Sequence, residues 1–180
     1  MINLLVLGRN HDRKKAAYIV VGAVLPDAAM FVFYLWHLVR GTAESTIWSV
    51  EYYRSGWQAA FDLFHSIPLA LLGMLVCWKT NRPWLLVFFT SILLHALGDL
   101  PLHQDDAHRH FFPLFDWRFF SPVSYWNPAY YGNWVSLVEC LAVIGAAIYL
   151  YLKHLHLKFW VSGIGSIYLA YWAYVMIVWA

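Results

Sequence analysis

The segment from His95 to His103 carries three side chains that can bind a metal ion, spaced four residues apart: His95, Asp99 and His103. Each step of four residues along an α-helix turns by about 40°, so such residues lie on one face. A histidine and a carboxylate at this spacing can chelate one metal ion. The alternative is a hydrogen-bonded pair that only fixes two helices together. Pro101 predicts that the helix ends before His103.

Further candidate ligands occur in other apolar stretches. His65 follows Asp62 by three residues, and Asp27 comes directly after Pro26. A loop that begins at His103 is rich in histidine and aspartate. Ionisable groups within apolar stretches are costly, and they normally face the interior of a helix bundle or a wet cavity. Because several stretches each contribute such a group, the groups are expected to meet.

The combined set predicts a metal centre. The predicted ligands are His65, His95 and Asp99, followed by Asp27 and His103. The predicted catalytic residues, which complete the site or position the substrate, are Asp106, His108 and His110. Mixed imidazole and carboxylate ligands suit zinc, manganese or iron, with zinc favoured, and the surplus of ligands allows two ions. Metals in such a site generate a hydroxide near neutral pH and hold a phosphoryl or acyl oxygen.

The composition indicates that a membrane surrounds these residues. The chain has 180 residues, of which 62% are hydrophobic and 12% are charged, and its mean hydropathy is +0.55. Soluble domains carry about 25% charged residues. The values exclude a disordered chain, a disulfide-stabilised scaffold and a basic nucleic-acid-binding protein, since the net charge is only +2. The predicted partner is therefore the lipid bilayer, with no nucleic acid.

Five apolar stretches predict an all-α, multi-pass transmembrane helix bundle that forms one domain over residues 1–180. The predicted spans are 16–39, 59–78, 84–102, 135–152 and 159–180. Pro26-Asp27 interrupts the first predicted span, and the number of spans would change if this span forms two half-helices. A long loop over 103–134, rich in aromatic residues, is expected to pack over the outer end of the bundle. Small residues such as Gly145, Gly163 and Gly165 are expected at helix contacts.

Lysine and arginine predict the orientation of these spans. Eight basic residues fall on the side of the N-terminus: Arg9, Arg13, Lys14, Lys15, Lys79, Arg82, Lys153 and Lys158. Only four fall on the other side: Arg40, Arg54, Arg109 and Arg118. Because basic residues are enriched on the cytoplasmic side, the N-terminus is expected in the cytoplasm.

Three short motifs in order resemble the bacterial family of membrane-bound predicted metal-dependent hydrolases. They are Leu25-Pro26-Asp27, Phe64-His65-Ser66 and His95-x3-Asp99, and the resemblance extends from about His11 to Trp126. The family includes a LexA-regulated inner-membrane member and is distantly linked to zinc-dependent phospholipase C. The resemblance implies a location in the inner (cytoplasmic) membrane of a bacterium.

These observations favour a membrane-bound metal-dependent hydrolase that acts on a phosphoester or lipid-like substrate near the membrane surface. A transporter that conducts protons or metal ions is one alternative, because it would also place ionisable residues within the spans. A non-catalytic membrane scaffold, in which the histidines and aspartates only fix the helix packing, is another.

Overall fold

All regular structure in the described part of the chain is helical, which confirms the all-α prediction. The computed structural model describes residues 1–178, with side chains described through residue 170 and at residue 173. The α-helices are α1 (Ile2–Leu7), α2 (Arg13–Val39), α3 (Glu44–Thr46), α4 (Ser55–Phe64), α5 (Ile67–Lys79), α6 (Pro83–Asp99), α7 (Gly132–Lys153) and α8 (Lys158–Val178). Shorter helical turns cover Gly8–Asn10, Ile47–Glu51, Pro128–Tyr130 and Leu155–Leu157.

Within residues 1–178, two helices are long and apolar enough to cross a membrane: α2, with 27 residues, and α7, with 22. Helices α4 and α5 would supply a third span if they act together, although they are bent by 41° where they meet. Helix α6 is apolar but has only 17 residues. Length and composition of the described residues therefore support two or three spans, and the predicted five are not confirmed. Residues 179 and 180 of the last predicted span lie outside the described residues.

The predicted spans ending at residues 78 and 102 differ from the helices because of two prolines. Pro68 has no N–H to donate to the carbonyl of Phe64, so the chain leaves the helix at His65 and starts again at Ile67. Ser66 caps the new helix by accepting a hydrogen bond from the Leu69 N–H at 3.2 Å. In the same way, Pro101 has no N–H to donate to the carbonyl of Leu97, and α6 ends two residues before it, at Asp99.

The expected interruption at Pro26 is wrong, because α2 runs continuously from Arg13 to Val39 through a buried Pro26. Proline fixes a helical φ and costs one hydrogen bond, which membrane helices tolerate. Next to this point α2 lies against α6: a Cβ on Gly22 would come within 2.5 Å of the Phe88 carbonyl oxygen. The glycines expected at helix contacts behave differently, since the Cβ positions of Gly145, Gly163 and Gly165 have no neighbour within 4 Å.

Two separate hydrophobic clusters stabilise the two halves of α2. Ile19 belongs to the first cluster, together with residues of α1, α6, α7 and α8. Phe33 belongs to the second, together with Ile47, Tyr52 and Phe61. Asp27 lies between Ile19 and Phe33 on the same helix. The break between α4 and α5 lies beside Asp27, and so does the end of α6. The histidines and aspartates of these helices therefore meet between the two hydrophobic clusters.

The segment between α6 and α7 is a loop, as predicted, apart from the turn Pro128–Tyr130. It folds back on its own beginning, because Ser121 donates its N–H to the His103 carbonyl and Tyr125 donates to the Leu102 carbonyl, both at 3.0 Å. The loop covers the site only in part: Tyr125 reaches His103, whereas Phe120 is 60% exposed.

Candidate metal centre

His65 and His95 are each held in one tautomer by a backbone carbonyl. Nδ1 of His65 lies 2.8 Å from the Phe61 carbonyl oxygen, and Nδ1 of His95 lies 2.9 Å from that of Ala23. Because a carbonyl only accepts, Nδ1 carries a hydrogen, and in the neutral ring Nε2 presents a lone pair. Both Nε2 atoms are buried and have no hydrogen-bond partner among the described residues. This is the arrangement of metal-binding histidines, whose second nitrogen is fixed by a backbone or carboxylate oxygen.

Two carboxylates face these lone pairs. Oδ2 of Asp99 lies 3.1 Å from Nε2 of His65 and 3.0 Å from Nε2 of His95. Oδ1 of Asp27 lies 4.0 Å and 3.6 Å from the same two atoms. Ligands about 2.1 Å from a tetrahedral zinc are about 3.4 Å apart, which falls within these distances. Asp27, His65, His95 and Asp99 thus form a group that could hold one metal ion, with ligand atoms within 4.8 Å of one another.

A second group shares Asp99 with the first. It consists of Asp99, His103 and His108, again with ligand atoms within 4.8 Å of one another. Nε2 of His103 lies 3.8 Å from Oδ2 of Asp99, and its Nδ1 lies 2.8 Å from Oδ2 of Asp106. Asp106 therefore orients His103 as the carbonyls orient His65 and His95. A carboxylate common to two ligand groups can bridge two ions.

His108 and His110 in the loop are buried and neutral near pH 7, which is the form that binds a metal ion. Burial lowers the pKa of His108 well below its ordinary value and lowers the pKa of His110 to about 4. The His108 ring stacks on His65 at 4.1 Å between centroids. His110 donates from Nδ1 to the His108 carbonyl at 3.1 Å, and its buried Nε2 has no partner in the described part of the chain.

The open side of the centre is at Asp27. Its side chain is 49% exposed, whereas those of Asp99 and His95 are 22% and 14% exposed and that of His65 is 2% exposed. Water or a substrate can therefore reach the first ligand group past Asp27 while three of its ligands are shielded.

A buried ion pair that the sequence patterns do not reveal holds the loop in place. Asp62 is completely buried and accepts from the backbone N–H of Arg109 at 2.8 Å and from its Nε at 2.5 Å. Arg118 approaches the same carboxylate at 3.7 Å and donates to the Ala107 carbonyl. Asp62 is therefore an anchor for the loop and lies outside both ligand groups. The only hint in the sequence is that Arg109 stands between His108 and His110, and this position does not identify Asp62 as its partner.

The structure brings the predicted site residues together, but His108, predicted as catalytic, lies among the potential metal ligands. All five predicted ligands lie in the two groups: Asp27, His65, His95, Asp99 and His103. Of the residues predicted as catalytic, His108 lies among the potential ligands, Asp106 contacts His103, and His110 lies beside both groups without joining either among the described side chains.

Comparison with known proteins gives no relative for this chain. No family model matches it, and neither a curated protein nor a solved structure gives a significant match.

Proposed function

We propose that the protein is a membrane-bound metal-dependent hydrolase that acts on a phosphoester or lipid-like substrate. The observation that carries the proposal is the convergence of the buried Nε2 atoms of His65 and His95 on Oδ2 of Asp99, at 3.1 Å and 3.0 Å, beside the accessible Asp27. In a purely structural network these nitrogens would carry hydrogens and donate them to Asp99, so metal analysis distinguishes the two arrangements. The resemblance of the three motifs to membrane-bound predicted metal-dependent hydrolases supports the same function.

Each residue has a distinct role in this proposal. Metal ions, with zinc favoured over manganese and iron, would supply Lewis acidity and lower the pKa of bound water. His65, His95, Asp99 and Asp27 would hold one ion, and Asp99 would bridge to a second at His103 and His108. Nε2 of His110 can donate or accept a proton beside the centre. Asp106 would keep His103 in the tautomer that binds metal.

The proposal includes the location and the remaining spans. Helix α6 measures about 25 Å at 1.5 Å per residue, close to the hydrocarbon thickness of about 30 Å, and it ends at the centre. The hydrolase would then act near one surface of the inner membrane of a bacterium. Helices α6 and α8 complete the five-span arrangement, with the N-terminus in the cytoplasm.

Metal content by mass spectrometry on detergent-purified protein tests the proposal. The wild type should carry stoichiometric zinc, manganese or iron, and the double variant His95→Ala/Asp99→Ala should lose it. His154→Ala/Asp105→Ala is the matched control, because it removes one histidine and one aspartate outside both groups. Retention of metal by this control, followed by hydrolysis of a phosphoester in a screen, supports the hydrolase.

Absence of stoichiometric metal from wild-type protein purified without chelators would overturn the proposal. Metal that remains bound in the double variant would contradict the assigned ligands. If the double variant loses thermal stability and the wild type holds no metal, the scaffold alternative is favoured. Movement of protons or metal ions across proteoliposomes without hydrolysis would favour the transporter.

A further inference from the structure

A groove of about 580 Å³ runs between α2 and α6 on the outside of the bundle, at the end that carries the basic residues. We call it the α2–α6 groove, and its lining includes Lys14, Tyr18 and Val21 of α2 and Trp84, Leu85 and Phe88 of α6. Lys14 precedes Asp27 by 13 residues of one helix, which is about 20 Å at 1.5 Å per residue. The groove is therefore remote from the candidate metal centre, and the function proposed above gives it no role.

The side chains of the groove form one continuous apolar surface. On α2 its residues are spaced by four and three positions, and Trp84 and Phe88 of α6 are four apart, so each helix contributes one face. The surface is open, since Val21 is 52% exposed, Trp84 47% and Leu85 37%. Within a membrane, a surface of this kind is covered by lipid hydrocarbon chains.

The groove is narrow at its apolar end and wider at its charged end. The two backbones come closest at Gly22, where a Cβ would lie 2.5 Å from the Phe88 carbonyl oxygen. One turn nearer the basic end the helices leave room for two rings, and Tyr18 and Trp84 stack there with centroids 6.5 Å apart at 18°. Lys14 lies a further turn along. This shape suits a molecule with an apolar chain and a polar head.

The charge at the wide end is positive. Lys14 is exposed and forms no ion pair with a described carboxylate. Eight basic residues belong to this end by sequence, against the single acidic residue Asp12, whose carboxylate already accepts from the Lys15 N–H at 2.8 Å. Arg82 directly precedes α6, two residues before Trp84. The wide end therefore attracts an anion and disfavours a cation.

The aromatic rings show at which depth of a membrane this end lies. Tryptophan and tyrosine are enriched at the boundary between hydrocarbon and head groups, which is where Tyr18 and Trp84 would lie. Lys14 is four residues, or about 6 Å, closer to the end of α2. Its ammonium group would then stand at the level of the lipid phosphates, with the apolar part of the groove below it.

We infer that the α2–α6 groove binds one phospholipid with a net negative head group, whose phosphate contacts Lys14 and whose acyl chain lies along Val21 and Phe88. Basic pockets between membrane helices bind such head groups because charge and apolar contact act together. The lipid is a bound ligand and not a substrate, since the candidate metal centre is at the other end. The inference does not depend on the hydrolase function.

Native mass spectrometry of the full chain released from detergent micelles tests the inference. The protein is offered an equimolar mixture of dioleoylphosphatidylglycerol and dioleoylphosphatidylcholine, which share their acyl chains and phosphate and differ in net charge. We expect one phosphatidylglycerol to be retained per chain, preferred at least about fivefold, because one basic residue near a membrane surface contributes about that factor. Equal retention of the two lipids, or retention of neither, would overturn the inference.

Substitutions of lysine separate a site from the general attraction of a basic surface. Lys14→Gln should abolish the preference for phosphatidylglycerol, and Lys14→Arg should retain it. Lys153→Gln is the matched control, because it removes one exposed lysine from the same end of the molecule but outside the groove. Equal losses in Lys14→Gln and Lys153→Gln would show that only the overall charge attracts the lipid, which would contradict the assigned site.

Thermal unfolding in detergent tests the apolar part of the groove. A lipid that binds only the folded chain raises its melting temperature, so added phosphatidylglycerol should raise that of the wild type and of Trp78→Leu more than that of Trp84→Leu. Trp78 is the matched position, because it is 69% exposed at the end of α5 and does not line the groove. Equal rises in both variants would contradict the placement of the acyl chain.

Two other occupants of the groove would give different results. If glycerol 1-phosphate displaced the retained phosphatidylglycerol, the wide end would be a site for soluble anions and the lipid assignment would be wrong. If the released protein were a dimer without lipid, and Trp84→Leu made it a monomer, the groove would belong to an interface with a second copy. A lipid-bearing monomer that glycerol 1-phosphate leaves intact is the expected result.

Discussion

The orientation of single imidazole rings determines which nitrogen of each histidine can meet a metal ion. The Phe61 and Ala23 carbonyls fix His65 and His95. His103 differs, because a carboxylate rather than a carbonyl takes its Nδ1 hydrogen. A negatively charged partner makes the opposite nitrogen a stronger ligand. The second ligand group therefore depends on the side chain of Asp106, whereas backbone carbonyls orient the histidines of the first group.

Asp106→Asn tests this dependence. The amide keeps the shape but loses the charge that orients and polarises His103, so the affinity for a second zinc ion should fall by about 10–100-fold. Binding of the first ion, at His65 and His95, should change little. Zinc titration against a competing chelator measures both affinities. Asp105→Asn, at an exposed neighbouring position, should leave both affinities unchanged, and equal effects of the two substitutions would refute the role of Asp106.

Part of the candidate centre is predictable from the sequence, because spacing on a helix is a local property. His95 and Asp99 face the same side through the helical repeat alone. The role of His108 is less predictable, since a loop histidine becomes a ligand or a catalytic group according to its ring orientation. That orientation depends on the contact of Arg109 with Asp62, which joins residues 47 positions apart. No short pattern reports such a distant contact.

At the scale of helices, the close approach of α2 to α6 positions the centre. The Ser91 hydroxyl donates to the Ile19 carbonyl at 2.7 Å, and one turn further His95 donates to the Ala23 carbonyl. Gly22 lies between these contacts, where the backbones come closest. The distance between α2 and α6 therefore sets the position of His95, a candidate metal ligand.

Gly22→Ala should separate these helices. Its Cβ would lie 2.5 Å from the backbone oxygen of Phe88, which cannot rotate away, so the free energy of unfolding should fall by about 1–3 kcal/mol. Zinc affinity should fall as well, because His95 loses its carbonyl partner. Denaturant titration in detergent and a zinc titration measure the two effects.

Gly145→Ala is the control for this substitution. Nothing lies within 4 Å of its Cβ position, and alanine is the better helix former, so stability should stay equal or rise. Equal behaviour of the two variants would show that the α2–α6 contact does not position the centre.

Helix boundaries illustrate why element prediction is incomplete. Hydropathy alone joins residues 59–78 into one span, yet Pro68 and the Ser66 cap divide it at His65, a candidate ligand of the centre. Pro26 has the opposite outcome, because packing against α6 supports a helix that the local pattern predicts to be interrupted. The same residue type therefore ends one helix and lies within another, and tertiary contacts decide between them.

At the scale of the whole molecule, basic residues and the centre occupy opposite ends. The turn between α7 and α8 contacts the N-terminal region, since His156 lies 3.2 Å from the Gly8 carbonyl and Trp160 donates to the Arg13 carbonyl at 3.2 Å. Tyr18 and Trp84 stack at 6.5 Å, which brings the start of α6 to this end. All eight basic residues that the sequence assigns to one side therefore lie far from the centre.

This separation predicts which positions react from each side of a membrane. In a chain with Cys77 and Cys140 replaced by alanine, cysteines at Thr80 and Leu155 should react with an impermeant thiol reagent from the cytoplasmic face, because the basic end is retained there. Cysteines at Asp105 and Asp116, in the loop beside the centre, should react only from the opposite face. Labelling of intact cells and of inverted vesicles gives the two readings. If all four positions reacted from one face, the centre and the basic end could not lie at opposite surfaces of the membrane. The expected pattern would instead require any substrate to approach the centre from outside the cytoplasm.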